Sequence, residues 1–528
     1  MRRTARLVLV LFALAATVAL PAVSASAATA DNFELVGHHA LNSRGMNAAP
    51  AVHGDYVYVG SRTDGQPHHL TPGILVVDVS DPAAPEVVHE IGQPVAANVG
   101  QTTRELRVWP QQELLIVLSF QCSELIHACA PGQQAGVPLY DRTFTFFDIS
   151  DDKAAAPELV ATYTPSRTPH EFFLWVDPAQ PSERALLYWT APSTSSSAPN
   201  LVITDISGVR EGEFPEIPWV ATFAGRALPS GESEDRRLHS IGVSNDGTRT
   251  YLAFLGAGFL VLDTSDVANG VPVPQIELIT APEDRVSWAN PGAHSAVPLW
   301  GQDVVLITDE VYGDALDAAT GQDHGCPWGW IRFIDVADEA HPQPLSEFKL
   351  PENEQAYCED LVGGNPLNTL STSFSAHNPT FTPDVAFVTW HSAGLQAVSL
   401  TDAANPTRLG TFKPDPLPAV VTEDPALSGG IDKVVMWSYP VIADGLIYVV
   451  DVRNGLYVLR YTGPGADDVA GISFLEGNSN LGDALLFGPI TDTASTVPVN
   501  DARPWSLVAG ALGVMALAAV RRRALRQP

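Results

Sequence analysis

Seven times along the chain an apolar run rich in β-branched residues ends in a short polar cluster, most often Asp-x-Ser/Ala-Asp. The copies are ILVVDVSDP from Ile74, FTFFDISDD from Phe144, LVITDISG from Leu201, FLVLDTSDV from Phe259, IRFIDVADEAHP from Ile331, LQAVSLTDAANP from Leu395 and LYVLRYTG from Leu456. Each reads as a buried strand entering a turn whose carboxylate bonds nearby backbone amides. A second apolar run precedes each copy, as in YVYVGS from Tyr56, LLIVLS from Leu114 and VVLITDE from Val304. A third follows several, as in EVVHEIG from Glu86 and ELVATY from Glu158. With the strand that opens each unit this makes four strands per repeat, recurring at intervals of about 60 residues. Seven four-stranded sheets around one axis predict an all-β, seven-bladed β-propeller over residues 31–463. The last copy lacks its outer strand, while FELVG from Phe33 matches ELVATY. The N-terminal strand is therefore expected to complete the seventh blade and pair its open edge.

On these repeats, above all GILVVDVSDPAAPEVV from Gly73, the chain resembles the LVIVD-repeat proteins, bacterial and archaeal surface proteins expected to form propellers. The resemblance runs from Asn32 to Gly463, with Ser399 and Arg460 standing where the other copies have Asp. It implies a fold and a cell-surface location, and no particular chemistry.

The two ends differ from this pattern. Arg2, Arg3 and Arg6 precede the apolar run Leu7 to Leu20, and Ala25-Ser26-Ala27 and Ala28-Thr29-Ala30 both fit a cleavage site, so 1–30 reads as a secretory signal peptide. Residues 504–520 hold an uncharged apolar stretch followed by Arg521, Arg522 and Arg523, which reads as a transmembrane helix with a basic cytoplasmic tail at 521–528. The polar, proline-bearing 464–503 suits a linker or stalk. Together these place the propeller outside the cell, tethered to the cytoplasmic membrane.

Charge supports that placement and excludes one class of partner. The 528 residues carry a formal net charge of −31, and the end segments contribute only arginines, so the exported part is more acidic still. Such a surface repels phosphate backbones, which argues against nucleic acid and leaves an extracellular protein or small molecule as ligand. Four cysteines in an oxidising compartment suggest disulfides, most economically Cys122 with Cys129 and Cys326 with Cys358.

Candidate chemistry gathers at the strand openings. Four consecutive units carry a histidine there: His170 in TPHEFFLW, His239 in RLHSIGVS, His294 in GAHSAVPL and His377 in SAHNPTFT. The second unit offers Arg104 and the seventh Trp437 beside Ser438. Innermost strands of a propeller line a channel, so these side chains are expected at one rim. Imidazole is a common ligand for zinc, copper or iron and titrates near neutral pH. Glu171, Asp309, Glu310 and His391 are placed to support such ligands from a second layer. The arc is similar in general idea to the histidine-lined channels of copper-dependent selenium-binding-protein-like propellers. Three roles stay open for the four histidines: capping of neighbouring loops, metal ligation, or a metal-free polar pocket. Three functions follow: a cell-surface binding scaffold with a His-lined funnel, a metal-dependent oxidoreductase or hydrolase, or a structural or adhesive surface component. His38, His39, His68 and His69 read as loop or solvent residues. The start of HExxH at His170-Glu171 lacks its second histidine, and no GxSxG elbow or phosphate loop occurs. Ser244 to Gly247 reads as a hairpin turn.

Overall fold

The computed structural model describes residues 29–482 apart from 63–70, 93–100, 122–141, 228–232, 289–291, 300, 312–326, 363–372, 425–426 and 429–431. Two short strands come first, β1 (Thr29–Asp31) and β2 (Phe33–His39). Blade one holds β3 (Asn47–His53), β4 (Tyr56–Ser61), β5 (Ile74–Asp78) and β6 (Glu86–Ile91). Blade two holds β7 (Gln101–Trp109), β8 (Leu114–Gln121), β9 (Arg142–Asp148) and β10 (Glu158–Tyr163). Blade three follows with β11 (Phe172–Val176), β12 (Ala185–Thr190), β13 (Leu201–Asp205) and β14 (Glu216–Trp219). Blade four has β15 (Leu238–Val243), β16 (Arg249–Phe254), β17 (Gly258–Asp263) and β18 (Glu277–Leu278). Blade five has β19 (Ala293–Pro298), β20 (Val304–Asp309), β21 (Ile331–Asp335) and β22 (Gln343–Phe348). Blade six has β23 (Pro379–Phe381), β24 (Val385–Trp390), β25 (Gly394–Ser399) and β26 (Arg408–Lys413). The last consists of β27 (Val441–Ala443), β28 (Leu446–Asp451) and β29 (Gly455–Tyr461), joined later by β30 (Phe474–Glu476).

The strands of each repeat are antiparallel neighbours in chain order, with β1 added outside β26 and β2 and β30 flanking β27 to β29, and the seven sheets form the expected propeller. The repeat aspartates make the turns their sequence implies. Asp78 accepts the Ser80 amide at 2.9 Å, Asp148 that of Ser150 at 3.0 Å, Asp205 that of Ser207 at 2.8 Å and Asp335 that of Ala337 at 2.9 Å. Where the pattern lapses, the chemistry changes with it. Arg460 instead reaches Glu34 on β2 at 2.7 Å.

Both faces of each blade are buried, because side chains alternate along a strand. On β4, Val57 and Val59 pack toward Tyr448, Val450 and Val458 of blade seven, whereas Tyr58 packs toward Leu106, Val108 and Phe147 of blade two. Equivalent apolar clusters fill every other junction between consecutive blades, so the core is a ring of interfaces. Burying each such side chain contributes about 1.5–3 kcal/mol.

The N-terminal strand closes that ring. β2 pairs antiparallel with β29 from Phe33↔Tyr461 to His39↔Leu456. β1 adds a fifth strand to blade six against β26, so the expected leader of 1–30 overlaps the fold at Thr29 and Ala30. Two further expectations are corrected. His38 and His39 are not loop residues: they lie on β2, half-buried, and the His38 ring stacks on Tyr457 at 4.3 Å. The first residues of the stalk expected from 464 belong to the fold instead: a short helix at Ala466–Ala470 leads into β30, which pairs with β27 on its channel side. From there Asn478 and Asn480 bond the backbone of β11, across the channel from blade seven. The turn at Ser244 to Gly247 is a hairpin, with the Gly247 amide on the Ser244 carbonyl at 2.9 Å.

Among the described residues no helix is long and apolar enough to cross a membrane; 504–520, the tail and the leader up to residue 28 lie outside them. Cys358 is buried and none of the described cysteines is free; Cys122, Cys129 and Cys326 lie outside the described residues, as do His68 and His69.

Candidate metal centre

A repeated backbone irregularity aims the channel side chains. Where β7, β15 and β19 meet the second strands of their blades, the register slips by one residue, at Arg104, His239 and His294. Blades three and six show the same two-against-one arrangement in their hydrogen bonds. The Thr190 carbonyl accepts from the His170 amide at 2.9 Å while the Thr190 amide donates to Glu171 at 3.0 Å, and Thr389 treats His377 and Asn378 alike at 2.9 and 3.1 Å. A β-bulge leaves one residue unpaired and re-aims its side chain. Here it does so five times, and it brings Arg104 and all four predicted histidines to one rim. Glu310 and His391 join them from positions directly after β20 and β24.

The imidazoles form a continuous arc. Ring centroids lie 4.3 Å apart for His170 and His239, 4.1 Å for His239 and His294, 4.0 Å for His294 and His377, and 5.0 Å for His377 and His391. Two carboxylates face this arc. Glu310 lies 2.9 Å from His377 Nε2, 3.5 Å from His294 Nε2, 3.6 Å from His391 Nε2 and 3.8 Å from His239 Nε2. Glu171 lies 3.4 Å from His294 Nε2 and 3.2 Å from the Arg104 guanidinium. His170 and His239 bring their Nε2 atoms to 2.8 Å of each other. Three ligand triads can be drawn: His170, Glu171 and His239; His239, His294 and Glu310; and Glu310, His377 and His391.

Second-layer contacts fix which nitrogen points inward. Nδ1 of His294 meets Ser295 Oγ at 2.9 Å, Nδ1 of His391 meets Ser373 Oγ at 3.0 Å, and Nδ1 of His377 meets the Trp437 carbonyl. A carbonyl only accepts, so His377 carries its proton on Nδ1 and presents a basic Nε2 to the channel. Yet that Nε2 faces a carboxylate oxygen and makes no hydrogen bond; His294 Nε2, His239 Nδ1 and Glu171 Oε2 are likewise buried without one. Basic nitrogens and carboxylate oxygens turned toward one another in a buried space repel unless a proton or a metal cation lies between them.

Electrostatics agree with that reading. Burial, reinforced by neighbouring positive charge, pushes His170 and His239 well below the ordinary imidazole value, His377 to about 4 and His391 to about 3. Burial alone would raise Glu310, but His377 and His294 outweigh it and hold the carboxyl well below its usual range. Glu171 behaves alike under His294, His239 and Arg104. His294 is the exception: burial lowers it, and Glu310 and Glu171 more than reverse that. Neutral imidazoles and ionised carboxylates are the forms that bind metal.

The remaining expected residues divide. Trp437 supplies its carbonyl to His377, and its ring lies under the guanidinium groups of Arg104 at 4.6 Å and Arg62 at 5.1 Å. Glu171, Glu310 and His391, expected as supporting residues, sit among the histidines as potential ligands. Asp309 does not join them, because Arg332 draws its carboxylate aside at 2.7 Å. The sequence reading missed Ser295 and Ser373, and also Glu105, which pairs with Arg107 at 3.0 Å further along β7. Glu105 follows Arg104 as Glu171 follows His170, and that parallel was its only signal. The capping role open to the histidines is shared with threonines: His377 Nδ1 holds the Trp437 carbonyl, Thr190 Oγ1 donates to the His239 carbonyl at 2.8 Å, and Thr308 Oγ1 donates to that of His377.

No family model and no curated protein matches the chain. Solved structures similar to it include a protein from Lactobacillus plantarum, 11% identical over 69% of this chain and 84% of that one, with a TM-score of 0.41. The β-propeller domain of Cps50 (Swd1) from Myceliophteria thermophila is 10% identical over 82% of this chain and 98% of that one, with a TM-score of 0.41. A hypothetical selenium-binding protein from Sulfolobus tokodaii is 13% identical over 60% of this chain and 72% of that one, also at 0.41.

Proposed function

We propose that this propeller is a metalloprotein that binds a divalent transition metal in its channel and uses it as a metal-dependent enzyme, an oxidoreductase or a hydrolase. The observation that carries this reading is the convergence of His239, His294, His377 and His391 on the buried Glu310 and Glu171, with ring nitrogens facing carboxylate oxygens at 2.9–3.8 Å and His170 beside His239. Two ligands about 2.0–2.1 Å from one tetrahedral ion stand about 3.3–3.4 Å apart, which these separations approach. The donor set is nitrogen and oxygen only, which suits zinc, iron or copper(II) over ions that prefer sulfur. Bound metal would act as a Lewis acid or lower the pKa of a water. The protein's own part is to orient the nitrogens through Ser295, Ser373 and Trp437 and to keep the carboxylates ionised. His170, His239 and Glu310 retain slight exposure, 8%, 6% and 8%, whereas His294 and His377 have none, so a substrate would approach from the former side.

The leader, the anchor and the acidic surface support a place outside the cytoplasmic membrane, with Cys326 and Cys358 bridged there and small molecules or extracellular proteins as ligands. The LVIVD-like repeats fit the same location. The test is the metal content of the purified chain by mass spectrometry, before and after replacing His239 and His294 together by Ala. Stoichiometric zinc, copper or iron that the double variant loses is the expected result. A wild-type chain that holds none, even after incubation with each ion, overturns the reading and leaves a metal-free binding funnel.

A further inference from the structure

We infer that the channel holds two metal ions, bridged by the carboxylate of Glu310. This rests on the metal-centre reading above and goes beyond it in number and arrangement. The two oxygens of Glu310 face different pairs of imidazoles. Oε2 faces His239 and His294, at 3.8 and 3.5 Å from their Nε2 atoms, while Oε1 faces His377 and His391, at 2.9 and 3.6 Å. A carboxylate serving one ion would have its imidazole partners gathered about one oxygen or about the cleft between both. Here each oxygen has its own pair, and each pair with its oxygen makes a complete three-ligand set.

The surrounding groups preserve this division. His294 and His377 are anchored through Nδ1 by Ser295 Oγ and the Trp437 carbonyl, from two different blades, so each presents Nε2 to its own side of the carboxylate. Neither Nε2 makes a hydrogen bond despite the nearby carboxylate oxygen. Glu171 adds a second carboxylate to the His239 and His294 side, through Oε1 at 3.4 Å from His294 Nε2. The two sites therefore differ: a more exposed one that includes His239, and an inner one built from His377 and His391. Paired ions about 3.5–4 Å apart are the arrangement that clamps both the entering and the leaving oxygen of a displacement, or shares an oxygen donor between metals.

The experiment titrates the metal-free full chain with zinc and counts ions per chain by calorimetry and mass spectrometry. It then loads copper(II) and records the electron paramagnetic resonance spectrum. The expected result is two zinc ions in the wild type, one in His391→Ala and one in His294→Ala. The copper form should show spin coupling in the wild type, replaced in Glu310→Gln by an isolated copper signal. Circular dichroism of each variant confirms folding, and the wild-type count does not depend on any variant. Saturation at one zinc per chain, with an uncoupled copper spectrum, overturns the bridge and leaves a one-metal centre. No binding of either ion overturns both this inference and the reading beneath it.

Discussion

At the scale of single residues, burial decides what each ionisable group does. Burial drives His377 and His391 toward the neutral form, whereas Glu310 and Glu171 shift His294 the other way; His377 and His294 hold Glu310 below its usual range, and His294, His239 and Arg104 do so for Glu171. Asp451, at the end of β28, shows the opposite balance. Burial raises its carboxyl to about 6, although Val435, Asn454 and Arg453 donate hydrogen bonds to it. The folded chain thus holds this proton to about pH 6, whereas the unfolded chain releases it near 3.8. Folding takes up a proton between those values, so this group's contribution to stability falls by about 2 kcal/mol as pH rises from 4 to 6. Asp451→Asn removes the titration. In urea melts the variant should gain on the wild type by about that amount between pH 4 and pH 6.5. A stability difference that stays constant across this range contradicts the assignment.

At the scale of elements, what could be read from the chain was what recurs. The blades, the Asp turns and the β2 closure were legible because alternating apolar positions and the Asp-x-Ser/Ala pattern are local signals, repeated often enough to align. The bulges were not, since a residue slipping out of register leaves no mark in composition; this is why four histidines could be placed at one level but the tightness of their arc could not. Glu310 and His391 were seen only as neighbours of the site because their approach depends on where the second strands stop. β30 was missed for another reason. Its three residues, in a stretch rich in Gly and Asn, form a strand only because the channel edge of β27 is there to pair with. Asn480 then mimics a strand partner, accepting the Val176 amide at 2.7 Å and donating to its carbonyl at 2.8 Å. A chain ending at Gly463 keeps every repeat but loses these contacts. It should melt at lower temperature than one ending at Gly482, and equal melting temperatures would show that the channel strand does not support the ring.

At the scale of the whole molecule, closure makes the site. The channel groups come from residues as far apart in sequence as Arg104 and Trp437, on five different blades and the connections between them, and no single repeat holds a complete ligand set. The ring positions them only while blade seven is completed by β2 and every junction between blades is filled. The acidic exterior adds attraction for cations at long range, weakening as salt screens it. The most direct test is anomalous X-ray diffraction from crystals of the full chain loaded with zinc, recorded on both sides of the zinc absorption edge. The account predicts anomalous density within bonding distance of Glu310, flanked by the Nε2 atoms of His294 and His377. Well-ordered imidazoles with no such density, or zinc found only on surface carboxylates, would contradict it.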